Sequence, residues 1–299
     1  MSNQNTITVQ FEKDEYQKVK ETLLAHNWVE EVDSNQYVTF KFRSPQGSVA
    51  IMYFSGKLVF QGKEDFTNVI SSLKKEEIMT EESFLPHMGV DEVGKGDYFG
   101  PLVVVSCFVT EDFLKKVRHL GFADSKKFSD GKIENLYNMV REYPYYYSSV
   151  VHPKEYNEMT VKYRNASLLL AKQHSLVIEN GLKDLESKGI KCEYVVIDQF
   201  SMSKSRVTNE LGELGNRYKL EQYHKGESDI AVACASVIAR GIFLKEWEKM
   251  NERYNFHFPK GASNVVENAR LFLSLYGEKE LNNVAKTSFK TTKQVLSMF

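Results

Sequence analysis

Near the N-terminus the apolar positions first alternate and then change period. Ile7, Val9 and Phe11 alternate with Thr8 and Gln10, the pattern of a strand with one buried face. Residues 12–27 then place Tyr16, Val19, Leu23 and Leu24 on one side of a run of helix formers, which predicts an amphipathic helix. In the next segment Val38, Phe40 and Phe42 share one face, and Tyr37, Thr39, Lys41 and Arg43 share the other. VAIMYF and KLVFQ flank Ser55-Gly56, a two-residue hairpin signal, and a second helix is expected from about 64 to 73. Strand, helix, three strands, helix predicts a small α+β unit over 1–74. The charged, weakly periodic stretch 75–86 reads as a linker.

From residue 87 the strands become almost wholly apolar, as in sheets buried on both faces. MGVDEV, PLVVVSCFV, YYYSSVV, EYVVIDQF and YKLEQYH read as strands. Helices are expected near 111–120, 164–188, 227–250, 265–276 and 288–297. Alternation of buried strands with helices predicts an α/β domain over 87–299.

Composition narrows the function classes. Lys plus Arg is 39 and Asp plus Glu is 40, so any nucleic-acid footprint must be local rather than a matter of net charge. No uncharged apolar stretch approaches the roughly 20 residues of a membrane span. The N-terminus is polar and acidic, unlike a secretory signal. Cys107, Cys192 and Cys234 are far apart and lie in or beside apolar runs, so buried free thiols and a reducing cytoplasm are expected.

The chemistry-bearing residues are carboxylates. Asp91 and Glu92 follow an apolar strand and precede the turn Gly94-Lys95-Gly96; Asp198 ends VVID. Strand ends in open α/β sheets are where sites form. Neighbouring carboxylates repel unless they share a cation, and hard oxygen ligands suit Mg²⁺ or Mn²⁺. Two such ions roughly 3.5–4 Å apart can activate water and stabilise a leaving oxygen in phosphodiester hydrolysis. No nucleophile elbow, Walker A loop, zinc-protease helix or kinase set competes with this reading.

The blocks GVDEVGKGDYFGPLVV, ADSKKFSD, VVIDQF and HKGESDIAVACASVIAR, in that order, resemble ribonuclease HIII, a bacterial branch of the type 2 ribonucleases H. Residues 1–74 resemble that family's TATA-binding-protein-like N-terminal extension. The resemblance implies an RNase H-like catalytic fold and cleavage of the RNA strand of RNA/DNA hybrids, leaving 5′-phosphate and 3′-hydroxyl ends. It implies metal-binding acids at Asp91, Glu92 and Asp198, and a fourth catalytic acid at Glu227, with Asp229 as the competing candidate. It places Gly94, Lys95 and Gly96 against ribose 2′-hydroxyls and Asp124, Ser125 and Lys126 near a phosphate. Lys41 and Arg43 on the N-terminal sheet are expected to add substrate contacts. Ser288 and Ser263 depart from the histidine and glycine frequent in that family. Lys286, Lys290 and Lys293 leave the C-terminal segment basic, open to phosphate contact. Two other readings stay open: cleavage at single ribonucleotides in duplex DNA, as in ribonuclease HII, and a non-catalytic nucleic-acid binding module. No protein partner is evident, so a monomer is expected.

Overall fold

The computed structural model describes residues 5–74, 84–118, 120–198, 205–223, 228–261 and 264–297. The chain divides into two compact units, Met1–Phe84 and Leu85–Phe299. Most of the expected linker, residues 75–83, lies outside the described residues.

The first unit comprises β1 (Asn5–Gln10), α1 (Tyr16–Ala25), β2 (Val29–Glu31), β3 (Val38–Arg43), β4 (Val49–Tyr53), β5 (Lys57–Gly62) and α2 (Thr67–Lys74). Its strands form one antiparallel sheet in the order β1-β5-β4-β3-β2. The period-two pattern sends Phe40, Phe42, Ala50, Met52, Leu58 and Phe60 to one face. There they bury against Val19 and Leu23 of α1, Val69 and Leu73 of α2, and Trp28. On the other face Val49, Ile51, Tyr53 and Val59 stay half-buried among polar neighbours. Strand β2 was not expected. It is three residues long and forms by pairing, with Glu31 opposite Lys41 at the sheet edge.

The second unit comprises β6 (His87–Val93), β7 (Leu102–Val109), α3 (Glu111–Val117), α4 (Asp130–Val140), β8 (Tyr146–Val151), α5 (Pro153–Tyr163), α6 (Ala166–Ser187), β9 (Tyr194–Asp198), α7 (Ser205–Thr208), β10 (Lys219–Tyr223), α8 (Ile230–Tyr254), α9 (Val265–Val284) and α10 (Lys290–Leu296). The sheet order is β10-β9-β6-β7-β8. Strand β7 pairs antiparallel with both β6 and β8, whereas β9 pairs parallel with β6 and β10 pairs parallel with β9. Met88, Val90, Val195 and Ile197 face α6 and its Leu169, Ile178 and Leu182. Gly89 faces α8 instead: a β-carbon there would lie 2.0 Å from the amide nitrogen of Val232, so only glycine lets this helix's first turn approach the strand.

Helices α4 and α5 were also missed. Helix α4 carries its own signals: Ser129 caps Lys132 N–H, and Ile133, Leu136, Tyr137 and Val140 are buried at helical spacing. Helix α5 starts at Pro153 but buries little besides Tyr156 and the polar Asn157, so its periodicity is weak. The helix expected over 265–276 continues to Val284 after a kink at Gly277 (φ 82°). All three cysteines are buried and free.

Candidate active site

Strand register brings two of the predicted acids together. β6 and β9 run parallel with Val90 opposite Ile197, so one step further Asp91 and Asp198 stand side by side. Val90 and Ile197 face α6, and alternation therefore turns both aspartates toward α8. Asp91 is buried; its Oδ1 accepts the Glu92 N–H at 2.8 Å, and Ser236 of α8 bonds to its carboxylate. Burial pushes its carboxyl up to about 7, reinforced by the negative charges of Glu92 and Asp198.

Glu92, next along the strand, goes to the opposite face. There Oε2 lies 3.1 Å from Nε2 of His174 on α6, and Oε1 accepts from Lys95 Nζ at 2.6 Å. Burial works against the Glu92 carboxylate. The hydrogen bond and charge of His174, with Lys95, outweigh it and hold the carboxyl below its usual range. His174, buried in α6, thus has Glu92 as its side-chain partner. Its signal was a polar residue on the buried face of a helix opposite an acidic strand.

Among the described residues no three His, Cys, Asp or Glu side chains converge in a metal-holding group. Alternation explains this, since Asp91 and Glu92 diverge. The chemistry of the pair Asp91–Asp198 nonetheless suits a hard divalent cation. Both donors are carboxylate oxygens, and Asp91 resists ionisation for want of a compensating positive charge.

Glu227 lies outside the described residues. Its competitor Asp229 is fully engaged. It is the N-cap of α8, with Oδ1 accepting from Ala231 N–H at 2.9 Å and Val232 N–H at 3.0 Å. Its Oδ2 is 2.9 Å from His87 Nε2, while His87 Nδ1 meets the Leu85 carbonyl at 2.6 Å. Burial disfavours a charged His87, but its two acceptors prevail and raise its pKa. The ring also stacks on Tyr194 at 4.5 Å.

The turn after β6 uses its glycines differently. Gly94 has φ +87°, and a β-carbon there would lie 2.1 Å from the Pro101 carbonyl oxygen. At Gly96 a β-carbon would meet nothing within 4 Å, so nothing in the chain's own packing requires glycine. Lys95 reaches back to Glu92. Gly94→Ala is expected to destabilise by about 1–3 kcal/mol through clash and strain. Gly96→Ala is expected to leave Tm unchanged and raise KM for a nucleic-acid substrate. Thermal melts and steady-state kinetics on both variants check this contrast; equal Tm losses contradict it.

The Asp124-Ser125-Lys126 segment is a 3-10 turn, Phe122–Lys127, rather than an open loop. Ser125 is buried, and Arg240 of α8 donates to the carbonyls of Ser125 at 2.5 Å and Phe128 at 3.2 Å. The side chains of Asp124 and Lys126 lie outside the described set. In the first unit, Lys41 pairs with Asp33 at 3.3 Å, and Arg43 forks onto Glu31. These two cations are thus partly neutralised by neighbours, which a linear reading of charge does not reveal.

One basic residue is placed differently from expectation. Lys286 is wholly buried, so it cannot meet a phosphate; Lys290 and Lys293 are exposed. Ser288, at the family's frequent histidine position, is exposed, and Ser263 lies outside the described residues.

Comparison with known proteins gives this arrangement a class. The ribonuclease HII family model matches residues 88–292, the span of the second unit's sheet and helices. A ribonuclease HIII of Protochlamydia amoebophila is 34% identical over 263 residues, covering 85% of each chain. The crystal structure of Bst-RNase HIII in complex with Mn²⁺ matches with a TM-score of 0.69 at 26% identity, covering 98% of this chain and 99% of that one. The Aquifex aeolicus RNase H3 structure matches with a TM-score of 0.56 at 27% identity, covering 95% and 100%. A type 2 ribonuclease H fold is thereby established. The chain belongs to the ribonuclease HIII family.

Proposed function

We propose that this chain hydrolyses the RNA strand of RNA/DNA hybrids as a metal-dependent endonuclease. Water adds to the phosphorus and the bond to O3′ breaks, leaving 5′-phosphate and 3′-hydroxyl ends. The observation that carries this reading is the register that sets Asp91 beside Asp198 on the α8 face of adjacent parallel strands. Mg²⁺ or Mn²⁺ would be held by Asp91, Asp198, Glu92 and Glu227, and when bound would supply Lewis-acid charge to the water and the leaving oxygen. Glu227 is favoured over Asp229 because both Asp229 oxygens are already committed.

The chain's own groups prepare this chemistry. Ser236 orients Asp91, and His174 with Lys95 keeps Glu92 ionised and fixed. Glu92 points to the α6 face, so its share in holding the metal would require it to leave His174 and Lys95. The Gly94–Gly96 backbone reads ribose 2′-hydroxyls, the feature that separates RNA from DNA. The 124–126 turn, braced by Arg240, stands near a phosphate. Lys41 and Arg43 join the N-terminal sheet's contact with substrate once drawn from Asp33 and Glu31. The protein acts as a monomer in the cytoplasm. Its free buried thiols suit that compartment, and among the described residues no helix is long and apolar enough to cross a membrane.

Substrate comparison tests the assignment. A hybrid with a long RNA run is expected to be cut many times faster than a DNA duplex with one embedded ribonucleotide. Preferential attack at the single ribonucleotide would move the chain to ribonuclease HII-like specificity, and binding without cutting would make it a non-catalytic module. Removal of residues 1–84 is expected to raise Kd for the hybrid about tenfold, or ~1.4 kcal/mol, with less than about threefold change in kcat. Unchanged affinity would contradict a binding role for the first unit.

A further inference from the structure

Lys286 has no solvent exposure; burial lowers its pKa to about 7, against which the charge of Asp97 works, but no side-chain ion pair within 4.0 Å holds it among the described residues. Its ammonium donates instead to three backbone carbonyls: Asp97 at 2.9 Å, Phe99 at 3.3 Å and Gly100 at 2.7 Å. Three acceptors match the three protons of an ammonium group, so its donor capacity is filled. The Tyr156 ring lies 5.7 Å from Nζ and adds a cation–π contact. Around it the backbone is stitched to the same turn. Lys286 N–H donates to Tyr98 O at 2.8 Å, Gly100 N–H donates to Val284 O at 3.0 Å, and Ala285 bridges Phe99.

Burying a cation costs several kcal/mol, and an apolar side chain of similar volume would fill the space without that cost. A lysine here is therefore best explained by what it holds. The carbonyls it gathers form the far limb of the turn whose near limb is Gly94–Gly96. Asp97 N–H donates to Gly94 O at 3.3 Å and links the limbs.

We propose that Lys286 is a positioning residue that fixes the Gly94–Gly100 turn in the conformation that receives the RNA strand. The proposal rests on the hybrid-nuclease reading above. Asp91 precedes the turn in β6 and Asp198 ends β9, and neither touches Lys286, so its loss displaces the turn's substrate contacts and leaves the Asp91–Asp198 pair in place.

The test is Lys286→Met in the full-length protein, with Kd for an RNA/DNA hybrid measured by fluorescence anisotropy in chelator, and with kcat and KM in Mn²⁺. Kd and KM are both expected to rise about tenfold, or ~1.4 kcal/mol, with kcat within about threefold of wild type. A residue that merely supports folding would lower the active fraction, so kcat would fall with KM and Kd unchanged; that result overturns the proposal. Asn157→Ala is the control. Asn157 holds the same C-terminal segment through Ala285 O at 2.9 Å and Thr287 N–H at 2.9 Å without touching the turn. It is expected to lower Tm and leave KM unchanged, and an equal rise in KM overturns the proposal. Should Lys286→Met not accumulate as folded protein, Lys286→Gln, which keeps two donors, is expected to give an intermediate rise in KM; wild-type KM there overturns it. Cleavage by the wild type tests the nuclease reading separately, because the Kd comparison does not depend on cutting.

Discussion

Asp198→Asn is expected to reduce hybrid cleavage by about a thousandfold or more while changing hybrid affinity less than about threefold. Loss of an electrostatic contact made to the reacting centre typically costs 10²–10³ or more in kcat. Asp198 ends β9 beside Asp91, and the exchange of one oxygen for an amide removes a negative donor while keeping the side chain's shape. Single-turnover cleavage and anisotropy on the same preparation read the two quantities. Wild-type activity in this variant would remove Asp198 from the site. The same change at Glu227 is expected to resemble it, and at Asp229 to act through stability by uncapping α8.

Asp91→Asn is expected to be inactive yet more stable than wild type in chelator. The sign follows from the raised carboxyl. In the unfolded chain Asp91 ionises at its ordinary value of 3.8, but in the fold only near 7. Between these values the native state binds more protons than the unfolded state, so wild-type stability falls as pH rises from about 4 to about 7 and carries the full penalty above that. Asparagine cannot ionise, and its amide oxygen can still accept the Glu92 N–H. The advantage of the variant is therefore expected to be absent near pH 4 and to reach at least about 1 kcal/mol, or ~2–4 °C in Tm, at pH 8. Added Mn²⁺ is expected to raise the Tm of wild type and leave the variant unmoved. A variant less stable than wild type at pH 8 in chelator would show that Asp91 is not under electrostatic strain.

Much of this was legible in the chain. The apolar runs that end in Asp91-Glu92 and in Asp198 identified two buried strands and their acids, because burial on both faces leaves little ambiguity about such segments. Other features depend on non-local pairing. That Asp91 meets Asp198 follows from β6–β9 register, which no local pattern encodes. That Glu92 turns away was in principle readable, since neighbours on a strand point to opposite faces. Its partner His174 comes from α6, many residues later. The capture of Lys41 and Arg43 by Asp33 and Glu31 required β2, a strand too short to announce itself. Lys286 looked like one of three basic residues in a solvated segment; its burial is created by α5, α9 and the turn packing around it. Local periodicity thus located the acids, and tertiary pairing decided what each charged group does.

The most direct measurement is cleavage of an end-labelled RNA/DNA hybrid by the wild-type chain in Mg²⁺, in Mn²⁺ and in chelator, with Asp91→Asn and Asp198→Asn alongside. The account predicts internal cuts in the RNA strand with 3′-hydroxyl ends in either metal, and none in chelator or in either variant. Cutting that persists in chelator, or in the variants at the wild-type rate, would contradict a site built on these carboxylates.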